Sequence, residues 1–421
     1  MVPNVRRGRG RHHGDDAAVP VRLREVAITS EGSSSSTVAA VQSRLLSDAS
    51  SLIRIRSANP PGRERPVAEW LADRLEGIAD GVSVEEIAEG RANLVATFEF
   101  GPGPTFLLCS HSDVVPVQDE GQWDPVVHDG RLIGRGACDA KGAVAAMIEA
   151  CERLAERRGE LRGTLILACV ADEESDAEGV LALVSHGLLA DAAIIGEPTS
   201  NIAVLSSRGA VRLAVRFHGR AAHASSPSQG VNAIYGAARF ILAMESLDAE
   251  LIARGSMGSC AATVVDGGSK LNVVPEVCTV HVDRRLGPGE TSAAAVCEIE
   301  SRLSRVADEA PGLAYELSPA GITVEAFDLG ADLTFTTGLL SALGQPSPGP
   351  IFRAVSDAPH LIAAGIPTAI LGPGSLDTAH SNSEFVDVQD LEVAADLYER
   401  VALAYLGRAG PHGTPVVSTG R

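Results

Sequence analysis

"TLILACVADEES", residues 164–175, decides the fold. Its first seven residues, 164–170, are apolar on both faces, as in a strand buried in the middle of a parallel sheet. The run then stops on three acids, Asp172, Glu173 and Glu174. Like charges this close repel, and they cost desolvation energy if partly buried, unless something positive lies among them.

Three further runs have the same character: "TFLLCS" (105–110), "AAIIG" (192–196) and "PTAILG" (367–372). Each is followed by an acid or a histidine. His111 and Asp113 follow the first in "SHSDVVPV", Glu197 follows the second in "GEPTS", and His380 follows the third in "GPGSLDTAHSNSEFV". Asp139, in "GRGACDAKG", stands just before a helical stripe that starts near Lys141, with apolar residues at 144, 147, 148, 151 and 154. In open α/β sheets the carboxyl ends of the strands form the crevice where ligands bind. Two histidines and several carboxylates converging there have the composition of a metal site. Each piece alone has a plainer reading: an H-x-D triplet is commonly a surface loop, an Asp before a helix an N-cap, and "DEE" a solvated loop. Their shared position at strand ends is what the plainer readings leave as five separate coincidences.

Composition sets the frame. The 421 residues suffice for two or three domains, and 45% hydrophobic against 21% charged residues can bury a large core. A net charge of -19 argues against nucleic acid or an anionic membrane as partner. No stretch approaches the ~18 apolar residues of a membrane span. Seven cysteines without a C-x-x-C pair read as reduced thiols of a cytosolic protein. Residues 1–37, with "RRGRGRHHGDD" and "SEGSSSS", are expected to be unstructured, as are residues 409–421. No apolar segment follows Arg6 and Arg7, so a loose tail or a mis-assigned start accounts for them better than an export signal.

Between the tails, strands alternate with helices, which predicts an α/β domain with a mixed sheet flanked by helices. Residues 209–318 break that pattern with the order β-α-β-β-α-β, a ferredoxin-like unit inserted between catalytic segments 38–208 and 319–408.

"SHSDVVPV", "GRGACDAKGAVAAM", "ADEES", "GEPTS", "HASSPSQGVNAI", "GGSKLNVVPE", "DRRLGPGE" and "AHSNSEFV" resemble, in order, the motifs of the acetylornithine deacetylase, succinyl-diaminopimelate desuccinylase, carboxypeptidase G and aminoacylase metallohydrolases. The resemblance covers about residues 40–408. It implies two zinc ions bridged by Asp139, one completed by His111 and Glu197, the other by Glu174 and His380; cobalt or manganese suits the same donors. It makes Glu173 the general base and Asp113 the acid that orients His111. His223 matches a histidine that reaches across a homodimer interface formed by the inserted lid, and Asn272 and Arg285 match lid positions that hold the substrate carboxylate or carbonyl. Arg285 also fits a solvated strand-end arginine. The chain departs from the family at "SDAEG", which keeps only Gly179 of the usual glycines, and at Ala140, where Met is common.

The expected activity is hydrolysis of the amide of an N-acyl amino acid by a cytosolic enzyme, of the acetylornithine deacetylase or succinyl-diaminopimelate desuccinylase type. The rivals are a carboxypeptidase or dipeptidase using the same centre, and a non-catalytic, metal-dependent binding protein. A paired-metal phosphoesterase is disfavoured because no Gly-rich phosphate cradle is present.

Overall fold

A computed structural model describes residues 35–330 and 333–407. The expectations for the tails lie outside these residues, except that helix Ser35–Arg54 begins three residues inside the segment expected to be unstructured. Serine and threonine are readily accommodated in a first helical turn, where their hydroxyls can serve free backbone N–H groups, so a Ser-rich stretch is a poor marker of where a helix starts.

The larger sheet has six strands in the order Gly81–Ala88, Arg91–Glu99, Thr164–Val170, Thr105–His111, Ala192–Ile195, Thr368–Ile370. The first two pairings are antiparallel and the remaining three parallel. The doubly apolar runs are explained by two cores. Phe106 and Leu108 pack on one face with helices Lys141–Glu156 and Val388–Leu406, while Leu107 and Cys109 pack on the other with Glu178–Ser185 and Ala358–Ala363. A strand buried on both faces leaves only its ends for chemistry, and the four parallel strands end on one edge.

A separate four-stranded antiparallel sheet runs Ser259–Gly267, Val277–Leu286, Gly209–His218, Ala314–Pro319. With helices Ala233–Ala253 and Ser292–Asp308 between its strands, the order is βαββαβ, and it carries its own core around Val215, Phe217, Phe240 and Ile299. The alternating "VRLAVRF" lies in strand Gly209–His218, one side against the helices. The strand Ser259–Gly267 is an edge, and Val264 and Val265 on it are exposed.

All seven cysteines are unpaired, six of them buried. Among the described residues, no helix is long and apolar enough to cross a membrane.

Phe240 is fully buried and meets Phe217 at a ring distance of 5.8 Å. Phe240→Ala is expected to lower the free energy of unfolding by about 3–5 kcal/mol, measured by urea denaturation; a loss under ~1 kcal/mol would show that this ring does not anchor the smaller core.

Candidate metal centre and hydrolytic cleft

His111 is the last residue of its strand, in register with Val170, so the "DEES" loop begins beside it. Two sets of donors form. The His111, Asp139 and Glu197 ligand atoms lie within 4.8 Å of one another, and so do those of Asp139, Glu174 and His380. Asp139 belongs to both: its Oδ1 is 3.0 Å from His111 Nε2 and its Oδ2 is 3.3 Å from His380 Nε2. His111 Nε2 is 3.8 Å from Glu197 Oε1, and His380 Nε2 is 3.1 Å from Glu174 Oε1. His111 and Glu197 are buried, whereas His380 is half-exposed at the rim. Its φ of 60° is a left-handed conformation that a non-glycine residue holds only where its surroundings impose it.

The electrostatics ask for positive charge. Burial, reinforced by neighbouring carboxylates, pushes Glu173 and Glu197 well above the usual carboxylate range. Burial also raises Glu174, against the hydrogen bond from His380. Asp139 goes the other way: burial opposes ionisation, but hydrogen bonds from His111 and His380 hold it below the ordinary value. His380 is raised to about 10 by its bonds to Asp139 and Glu174. Glu197 Oε1 is buried with no hydrogen-bond partner. Histidine and carboxylate donors in two sets around a shared Asp, with an orphaned buried oxygen in one set, fit a pair of divalent cations.

Glu173 belongs to neither set. It lines a cleft of about 560 Å³ together with Glu174, His380, Arg212 and Arg285. Arg285 makes two bonds to Asp283, at 2.7 and 3.2 Å. His223 and Asn272 do not line this cleft. His223 is exposed and its Nδ1 meets Ser225 Oγ at 2.7 Å, while Asn272 is exposed with its backbone carbonyl accepting from Ala224 N.

Asp113 does more than face His111. The shorter contact of His111 Nδ1, 3.0 Å, is to the Asp113 backbone carbonyl, with Oδ1 at 3.5 Å. The Asp113 carboxylate accepts the backbone N–H groups of Glu173 and Glu174 at 3.2 and 3.1 Å and thereby fixes these two residues together.

Asp172 has its own counter-charge. Arg91 donates to Asp172 at 2.6 Å and to Glu64 at 2.8 Å, and Asn59 donates from one amide nitrogen to both Asp172 and Asp113, each at 2.8 Å. These bonds hold Asp172 at a φ of 71° and turn the chain so that the next two acids enter the cleft. Arg91 and Asn59 carried no warning in the sequence: "EGRANLV" reads as a turn into a strand, and "ANPPG" as a turn. Asp357 was also missed. It is buried in the cleft wall, where burial pushes its carboxyl up to about 7, and "VSDAPH" reads only as a helix start.

The sequence profile of peptidase family M20/M25/M40 matches residues 107–404. The chain belongs to this family. An acetylornithine deacetylase of Vibrio vulnificus is 31% identical over 352 residues, 80% of this chain and 91% of the relative. One from Myxococcus xanthus is 30% identical over 366 residues, covering 81% and 92%. Among solved structures, a tripeptidase from Staphylococcus aureus superposes with a TM-score of 0.71 at 23% identity, over 86% of this chain and 98% of that one. The Bacillus subtilis YXEP protein, described as a dinuclear metal binding peptidase, gives 0.68 at 18% identity, over 87% and 99%. This M20 chain is thus a hydrolase of α/β architecture that acts on amide bonds, in a family that depends on metal.

Arg91→Met leaves the buried Glu64 and Asp172 without their cation. The expected loss is about 3–5 kcal/mol of unfolding free energy. An unchanged denaturation midpoint would show that Arg91 is not the counter-charge.

Proposed function

We propose that this M20 enzyme removes the acyl group from an N-acyl amino acid, of the N-acetylornithine or N-succinyl-diaminopimelate kind, at a centre of two zinc ions. The observation that carries the reading is the pair of donor sets sharing Asp139, with the unshared carboxylate of Glu173 beside them in the cleft. The acetylornithine deacetylases, alike in sequence over four fifths of this chain, favour an acyl amino acid as substrate. Imidazole and carboxylate donors suit zinc, and cobalt or manganese would fit the same set.

His111, Asp139 and Glu197 would hold one ion; Asp139, Glu174 and His380 the other. Such ions supply Lewis acidity, polarising the amide carbonyl and acidifying water. The remaining steps belong to the chain. Glu173, whose burial raises its proton affinity, takes a proton from the water as the water attacks the amide carbon. It then delivers that proton to the departing nitrogen, so the C–N bond breaks to a carboxylic acid and an amine, and the acid's own proton passes to the amine or to solvent. Asp113 holds Glu173 in place through its backbone N–H. Arg285, with its planar fork, receives the substrate carboxylate, partly released from Asp283 as it does so.

His223 and Asn272 are proposed to serve the cleft of a second copy, joined through the βαββαβ lid. Support comes from their exposure away from the cleft of their own chain, and from the open edge strand Ser259–Gly267 with exposed Val264, Val265, Tyr235, Leu242 and Leu271 nearby. His223 would donate to the oxyanion.

Glu173→Ala is expected to lower kcat by about 10²–10⁴ on N-acetylornithine while metal analysis still finds two ions per chain. Loss of metal along with activity would make Glu173 a ligand instead. A chelator should abolish turnover, and added Zn²⁺, Co²⁺ or Mn²⁺ should restore it. Wild-type turnover of dipeptides with none of N-acetylornithine or succinyl-diaminopimelate would replace the deacylase reading with a dipeptidase. Bound metal with no turnover of any of these would favour a binding protein.

A further inference from the structure

Asp139 and His380 come from segments far apart in the chain, yet Asp139 Oδ2 and His380 Nε2 lie within 3.3 Å. One buried ion pair lies behind both. Glu384 and Arg135 are each 1% exposed, and Arg135 Nη1 is 2.5 Å from Glu384 Oε2. The other oxygen of Glu384 accepts the backbone N–H groups of Cys138 and Asp139, at 3.0 and 3.1 Å. Arg135 Nη2 reaches back to the His380 carbonyl at 3.5 Å. The backbone ties the same segments once more, Gly134 N donating to the Glu384 carbonyl at 3.1 Å, next to the pairing of Phe385 with Ile133. A buried ion pair is a weak source of stability, because an apolar pair of the same volume commonly packs as well. Its placement therefore calls for another account than stability. This pair fastens the peptide of the shared acid and the loop of the rim histidine to one carboxylate.

We propose that Glu384 and Arg135 are positioning residues that set Asp139 and His380 in register, so that the Asp139, Glu174 and His380 site, which takes two donors from the clamped segments, depends on them more than the His111, Asp139 and Glu197 site, which takes one. His111 is fixed independently, by its strand and by Asp113. Glu384 bonds the backbone of the shared Asp139, so its loss reaches the His111 site through Asp139 alone and the His380 site through both Asp139 and the His380 loop. The inference rests on the two-cation reading above.

The test is calorimetric titration of Co²⁺ into the metal-free full-length protein. Wild type should take up two ions. Glu384→Ala should weaken the second ion by about 10–100-fold, as loss of an outer hydrogen-bond partner does elsewhere, and weaken the first by a smaller factor. His380→Ala should show the same bias toward the second ion, and the double variant should fall short of the sum of the two single effects there, since both act on the His380 loop. Glu384→Gln keeps the side-chain volume and an acceptor for the two N–H groups but breaks the tie to Arg135. It should weaken the second ion less than Glu384→Ala, and it carries the test if the alanine variant does not fold by circular dichroism. Equal weakening of both ions, unchanged affinities, or additive effects in the double variant would overturn the clamp and leave the two-cation centre standing. A wild type that takes up no pair of ions would sink the centre and the clamp together.

Discussion

The constraint on which the rest depends is the concentration of negative charge at one edge of the parallel sheet. Asp113, Asp139, Asp172, Glu173, Glu174 and Glu197 gather there, and His111 and His380 are the imidazoles among them. Burial, with neighbouring carboxylates, drives Glu173, Glu174 and Glu197 toward their neutral forms. A carboxylate cluster of this kind is tolerated when each acid has a specific partner. The protein supplies some of these partners itself. Arg91 neutralises Asp172, Asn59 joins Asp172 to Asp113, and backbone N–H groups of Glu173 and Glu174 satisfy Asp113. What its own side chains leave unmet, at Glu197 and between the two histidines, is the share that divalent cations would fill.

The scaffold follows from this demand. Strands buried on both faces fix the positions of His111, the "DEE" loop and Glu197 to within the register of the sheet. The fourth strand, Thr368–Ile370, only starts the segment that delivers His380, which arrives through a loop with a left-handed backbone at the histidine itself. Loops of that kind need fastening, and the Arg135–Glu384 pair does it from beneath. The centre thus has a rigid half built on strands and a half whose geometry depends on a buried ion pair.

The sequence was most legible where periodicity and chemistry coincided. Four apolar runs with acids or histidines after them marked the parallel strands and the crevice, with His111, Glu197 and His380; Asp139 stood before a helix, and only the family resemblance divided these residues into two sets and chose Glu174 over Glu173. The βαββαβ order was legible from alternation in "VRLAVRF" and two amphipathic helices. The partners that act through space were not. Arg91 and Asn59 reach Asp172 from 81 and 113 residues away, and no local pattern marks a residue for such a role. Asp172 had only its place in the run of acids until Arg91 and its left-handed backbone explained it. The start of the first helix was misjudged because a serine-rich segment was read from composition, whereas helix onset follows local hydrogen bonding.

The most direct measurement is anomalous X-ray diffraction at the zinc absorption edge from crystals grown with zinc. The account predicts two anomalous peaks per chain, one among His111, Asp139 and Glu197, the other among Asp139, Glu174 and His380. A single peak, or peaks that leave Asp139 uncoordinated, would contradict it.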